Sequence, residues 1–310
     1  MSSSYEKTSK VAPAEAARLM RLATYASVSV AATLIVAKLF AWQVSGSVSL
    51  LATLVDSVLD ALASLVNLFA VRHALSPADQ DHRFGHGKAE ALAGLGQAAF
   101  IAGSAIFLLV EAGQRILAPQ AIEAIGAGAG VMLLSIGLTL VLLAFQRHVI
   151  LRTDSTAIKA DSLHYRTDLL VNLSVLLALV LSVWGWPGFD GIFALGIAIY
   201  ILYSAWEIAL HAFDHLMDRE LPDEDRARVE QRVGAHPQVR GMHDLRTRRS
   251  GTSIFMQLHL ELDDELNLLT AHRISDEVEA SLMKDWPGAE IIIHIDPVSV
   301  VGVEPMQTFD

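Results

Sequence analysis

The chain has 310 residues, 53% hydrophobic and 18% charged, with a mean hydropathy of +0.42 and no cysteine. That balance excludes an ordinary soluble domain and fits a polytopic membrane protein. Without thiols there are no disulfides or thiolate metal sites, so any metal must take His, Asp or Glu. The net charge of −11, carried largely by the last third, argues against nucleic acid as a partner and suits a cation-binding region.

Residues 1–21 are polar and mixed, without the short apolar core and small-residue cleavage site of a signal peptide. The first apolar helix is therefore expected to act as an uncleaved insertion signal. Six predicted spans follow, at 22–44, 50–71, 89–117, 122–145, 163–184 and 189–212, each long enough for a hydrocarbon core of about 30 Å. The connections 46–49, 118–120 and 184–188 are short and almost uncharged, whereas 72–88 and 147–166 are rich in Arg, Lys and His. The positive-inside rule puts the basic set and both termini in the cytoplasm. Residues 22–214 are thus read as a membrane domain.

The composition changes near Asp218. Leu221-Pro-Asp-Glu-Asp225 reads as a helix start, with Pro and acids where the dipole is positive. A helix to 233, strands at 239–248 and 253–262, a helix at 268–284 and a strand at 290–295 predict an αββαβ domain over residues 215–297, a small α+β fold. Residues 298–310 read as a tail.

Charge stands where the membrane should not tolerate it. Asp56 and Asp60 lie in the second span, and His164 and Asp168 in the fifth, each pair four residues apart on one helix face. A carboxylate near the bilayer centre costs roughly 2.5–3.5 kcal/mol on insertion scales. A divalent cation held by one nitrogen and three oxygens offsets that cost, in a tetrahedron that Zn²⁺ accepts. The alternative is that the acids and imidazole pair with one another, or line a polar cavity without metal. Lys38, near the far end of the first span, is expected to snorkel to the interface, away from the acids.

Two further clusters carry metal-ligating types. Asp79, His82 and His86 in the first basic connection, between spans two and three, either hold a cation or form a solvated loop whose glycines permit tight turns. In the last strand, the period of two turns His294 and Asp296 to the face opposite Ile291, Ile293 and Ile295. His259 on the neighbouring strand meets them there, with His243 and His272 within reach. Asp296 is suited to bridging two cations. A lone histidine is usually a surface residue, so the weight rests on the convergence.

Beyond the acidic pairs, Phe84-Gly-His-Gly-Lys-Ala-Glu90, Ala160-Asp-Ser-Leu-His164 and His243-Asp-Leu-Arg-Thr-Arg248 resemble segments of the cation diffusion facilitator family, in particular its bacterial zinc and iron efflux branch. The resemblance runs from the first span to the last strand. It implies a six-span homodimer in the bacterial inner membrane, with a ferredoxin-like cytoplasmic domain. It implies a secondary transporter, not an enzyme, exporting Zn²⁺ against inward proton flow. By family pattern, Asp56, Asp60, His164 and Asp168 match the transport site, with Asp60, His164 and Asp168 coupling protons. Asp79, His82 and His86 match a loop site. His243, His259, His272, His294 and Asp296 match a binuclear site that helps couple the cytoplasmic domains. Lys88 and Asp218 match a charge pair acting as a dimer hinge. Ile295 departs from close relatives, which often carry Gln. Asp56, where other zinc transporters of the family place His, widens the implied substrates toward Cd²⁺ and Fe²⁺.

Overall fold

The structure, a computed structural model, describes residues 11–45, 48–117, 129–183 and 189–301. The turns expected at 46–49, 118–120 and 184–188, the start of the fourth span and most of the tail lie wholly or partly outside these residues. Six long helices occur in order: α1 (Pro13–Ser45), α2 (Val48–Ala74), α3 (Lys88–Leu117), α4 (Ala129–Thr153), α5 (Thr156–Val183) and α6 (Phe189–Leu216). At 1.5 Å per residue, even the 25 residues of α4 exceed the thickness of a hydrocarbon core. Large apolar side chains point outward, among them Phe40 (69% exposed), Phe107 (71%) and Trp206 (63%), as lipid contact requires. Among the described residues, five of these helices are long and apolar enough to cross a membrane. The first half of α5 carries Lys159, Asp161, His164, Arg166 and Asp168. It is central: α5 touches all five other membrane helices, while α3 lies along α6 and α1 along α2. Its neighbours bury Asp161, Leu163, His164 and Tyr165.

One sequence expectation needs correcting. The basic stretch 147–166, read as a connection, is almost entirely helical. Helix α4 runs to Thr153 and α5 starts at Thr156, leaving only Asp154 and Ser155 between them. The charges sit on helix ends that continue beyond the apolar layer. Asp154 turns the chain at φ 54°, a left-handed conformation that Asp tolerates, and its Oδ1 lies 2.6 Å from Lys159 Nζ. Ser155 Oγ accepts from the Ile158 N–H at 3.2 Å and caps α5.

The second unit has α7 (Asp223–Gly234), β1 (Gly241–Ser250), β2 (Ser253–Leu262), α8 (Leu268–Leu282) and β3 (Glu290–Pro297). Strand order is β1-β2-β3, antiparallel then parallel, so α8 is the crossover helix of a β-α-β unit. Asn267 Oδ1 accepts from the Thr270 N–H at 2.9 Å and starts α8. Met256, Leu258 and Leu260 of β2 bury one sheet face against Val229, Val233, Ile274, Val278 and Leu282. Ile291, Ile293 and Ile295 pack against the same core, which leaves the other face to the histidines. This is the ferredoxin-like αββαβ arrangement, with helix ends shifted by one or two residues.

The two units meet at the start of α3. Lys88 Nζ donates to the Leu216 carbonyl at 3.2 Å and to Asp218 Oδ2 at 3.0 Å, while Arg248 of β1 reaches Asp218 Oδ1 at 3.3 Å. The Phe84 and Phe255 rings stand edge to face, 5.9 Å apart, with the Arg248 guanidinium over both. Gly85 has φ 75°, and a Cβ on Gly87 would stand 2.3 Å from the Ser250 carbonyl oxygen. The first glycine is required by the turn, the second by the close approach of the loop to the β1–β2 hairpin.

Candidate metal centres

A simple yardstick applies to all three clusters. Two ligand atoms 2.0–2.1 Å from one tetrahedral Zn²⁺ lie about 3.4 Å apart. Side chains already near that spacing need little rearrangement to share an ion.

Within the membrane domain, α2 and α5 bring together Asp60, His164 and Asp168. His164 Nε2 lies 3.1 Å from Asp60 Oδ1 and 3.9 Å from Asp168 Oδ2. The His164 side chain is only 9% exposed, and its Nε2 makes no well-directed hydrogen bond among the described residues. The nitrogen therefore sits between two carboxylates in contacts of charge rather than of a fixed hydrogen bond. Asp56, one turn earlier on α2, is exposed and lies outside this trio, within electrostatic reach of Asp168 and Lys38. The structure thus gathers three of the four expected residues.

Lys38 does not snorkel away. Its Nζ donates to Ser57 Oγ at 2.6 Å and to the Thr53 carbonyl at 3.1 Å, and its charge acts on Asp60, Asp168 and Asp56. Ser57 lies between the two α2 aspartates in sequence, so the ammonium is pinned beside the acidic site by α2 itself. Its partners are a hydroxyl and a carbonyl one helical turn apart, a feature that apolar patterning hides.

A second buried carboxylate lies one turn before His164. Asp161 is 0% exposed; its Oδ2 accepts from Ser27 Oγ at 2.5 Å and from Gln146 Nε2 at 2.7 Å. Gln146 Nε2 also donates to Ser27 Oγ at 3.0 Å. Tyr165 donates to the Ser27 carbonyl at 3.0 Å, and Ser64 Oγ stands 3.0 Å from the tyrosine oxygen. This polar knot ties α1, α2, α4 and α5 together beneath the metal-ligating residues. The sequence reading placed Asp161 in the basic connection 147–166, which hid its burial among the helices.

In the α2–α3 loop, Asp79 Oδ1 accepts from the His82 N–H at 2.7 Å and the Asp81 N–H at 3.0 Å. These amides, His82 first, hold the Asp79 carboxyl below the usual carboxylate range. Asp79 Oδ1 is 3.4 Å from His82 Nδ1 and Oδ2 is 3.3 Å from His86 Nε2, both at the ligand–ligand spacing. All three expected residues converge.

On the open sheet face, Asp296 is the hub. Its Oδ2 lies 2.7 Å from His259 Nδ1 and 3.5 Å from His243 Nε2, and its Oδ1 lies 3.2 Å from His294 Nε2. One oxygen faces His243 and His259 and the other faces His294, the disposition of a carboxylate that bridges two ions. His272 is not part of this cluster: it is exposed on α8, 3.6 Å from Asp276. Two features escaped the sequence reading. A bulge in β1 between His243 and Arg246, with Asp244 at φ 48°, sets His243 directly opposite His259 while keeping Leu245 and Thr247 on the core side. Glu261, two residues after His259 on the same face, takes His243 Nδ1 at 2.8 Å, leaving Nε2 toward Asp296. A carboxylate behind an imidazole fixes the ring and raises its basicity as a ligand.

Residues 24–217 match the model of the cation efflux transmembrane domain, and residues 221–298 that of the cation efflux protein cytoplasmic domain. Among curated proteins, the chain is 50% identical over 293 residues to the cation-efflux pump FieF of Klebsiella pneumoniae subsp. pneumoniae, covering 94% of this chain and 98% of the relative. It is 52% identical over 285 residues to FieF of Pectobacterium atrosepticum, covering 92% and 95% respectively. Among solved structures, the zinc form of CzrB is 32% identical, covers 26% of this chain and 94% of its own, and gives a TM-score of 0.24.

Proposed function

This chain belongs to the cation diffusion facilitator family of cation efflux transporters, and from that footing we propose that it exports Zn²⁺ from the bacterial cytoplasm in exchange for protons. One observation carries the reading: an imidazole nitrogen enclosed between two carboxylates of separate membrane helices, at 3.1 and 3.9 Å. Asp60, His164 and Asp168 bind the ion, with Asp56 as fourth ligand from the next turn of α2. Ligands must be deprotonated to bind metal, so ion and protons compete for the same groups. Ions enter from the cytoplasmic side, the bundle rocks, and protons from the far side displace them. Three oxygens and one nitrogen also admit Cd²⁺ and Fe²⁺.

The protein acts as a homodimer in the inner membrane, with both termini in the cytoplasm. Residues 22–214 form the transport domain and 215–297 the cytoplasmic domain. Asp79, His82 and His86 bind an ion at the membrane surface. His243, His259, His294 and Asp296 hold a pair of ions bridged by Asp296, and His272 serves the same region. Their occupation, as zinc rises, shifts the population toward the transporting dimer. Lys88 and Asp218 form the hinge between the units. The deciding experiment loads the protein into liposomes and follows zinc entry and proton exit together. Zinc movement without opposing proton movement would reduce the protein to a facilitated pore.

A further inference from the structure

We propose that His73, in the last turn of α2, is the fourth ligand of the loop cluster, closing a four-coordinate site that retains its divalent transition-metal ion. This rests on the loop cluster being a metal site, as proposed above, and adds to it a residue, a coordination number and a different role.

His86 links two other rings there, His73 from the end of α2 and His82 from the loop. The His73 and His86 centroids are 4.5 Å apart, and those of His82 and His86 are 4.7 Å apart. Imidazoles sharing one tetrahedral Zn²⁺ have centroids about 5 Å apart, given Zn–N bonds of about 2.0–2.1 Å. The ring planes are inclined at 58° and 46°, as convergent ligands are, rather than stacked flat. His86 is the hinge of the arrangement. Its side chain is 6% exposed, its Nε2 faces Asp79, and its buried Nδ1 has no hydrogen-bond partner among the described residues. The loop cannot drift from this geometry cheaply, because Gly87 is pressed against the Ser250 backbone.

The fourth ligand changes what the site does. With three protein ligands one position stays open, and an ion exchanges with water or passes onward. With four the position is closed, as in structural zinc sites. His73 belongs to the helix that carries Asp56 and Asp60; thirteen residues separate it from Asp60, about 20 Å along the axis. An ion at this site clasps the cytoplasmic end of α2 to the α2–α3 loop and limits how that helix moves. The site is a retained clasp on the transport helix, not a stage on the ion's path.

The test is a Co²⁺ titration of the full chain in detergent, following the strong visible absorption of four-coordinate cobalt. His73→Gln should remove one such component from the difference spectrum and weaken one class of site by at least about tenfold, the scale set even by outer partners of metal ligands. His73→Cys, which restores a ligand, should recover four-coordinate absorption with an added thiolate charge-transfer band. His73 is exposed, so neither change burdens folding. An unaltered spectrum and affinity in His73→Gln, with the site lost in Asp79→Ala and His86→Ala, would overturn the fourth ligand and leave the loop site standing. Unaltered stoichiometry in all of these variants would remove the loop site itself.

Discussion

His164 and Asp60 face each other across two helices, Nε2 to Oδ1 at 3.1 Å, where the surrounding positions are apolar. Asp60→Ala should reduce zinc-driven proton flux in vesicles to background while the protein still elutes as its native assembly. Flux above one tenth of wild type would show that the carboxylate is dispensable.

Lys38 is the resident cation of that site. A positive charge pinned to Ser57 lowers the site's appetite for a second cation. Lys38→Gln should tighten zinc binding by about tenfold and slow turnover, because release becomes the harder step. Calorimetry and flux on the same preparation separate the two effects; weaker binding in the variant would mean that Lys38 organises the acids instead of opposing the ion.

Asp296 holds the sheet-face histidines together. Zinc at about 100 times its Kd should stabilise the wild-type cytoplasmic region by about 2.7 kcal/mol. Asp296→Asn should lose most of that zinc-dependent gain with little change in the zinc-free state. Denaturation with and without zinc reads both, and an undiminished gain would count against the bridge.

Gly87 has no room for a side chain. Gly87→Ala forces a methyl into the Ser250 carbonyl and should cost about 1–3 kcal/mol of overpacking strain, or release the loop from the hairpin. Hydrogen exchange at 79–90 should accelerate, and protection equal to wild type would refute the contact.

Acid should loosen the cytoplasmic domain through a named pair. Arg232 donates to Asp285 from Nε at 2.7 Å and Nη2 at 2.9 Å, and holds that carboxyl below its usual range. A carboxyl depressed in the folded state contributes stability that is present above its unfolded pKa of about 3.9 and is lost as pH falls through its folded pKa. Arg232→Met should flatten the stability profile below about pH 4 and leave the slope between pH 6 and 8 unchanged. An unchanged acid limb would absolve the pair.

The acid pairs and the αββαβ order were legible because they ride on simple periods: four residues along a helix, two along a strand. What stayed hidden depends on geometry that no period encodes. The β1 bulge adds one residue to a strand and moves His243 to its partner. Glu261 acquires meaning only once His243 stands beside it. Lys38 was misread because depth in the membrane says nothing of which neighbour a long side chain selects. Charge density at 147–166 mimicked a loop, since a helix emerging from lipid is as polar as one. His272 had the right type and the right domain, but α8 turns it to solvent in a single chain.

The joint between α4 and α5 is two residues long and stitched by Asp154 and Lys159, while Asp161 and Gln146 clamp the same helices deeper in. Such a hairpin has no slack. Any excursion that carries His164 and Asp168 from one side of the bilayer to the other must drag α4 with it, and Ser27 extends the same grip to α1. Under the proposed alternating access, α1, α4 and α5 move as one slab, and a crosslink that froze α4 alone should silence transport through a site it never touches.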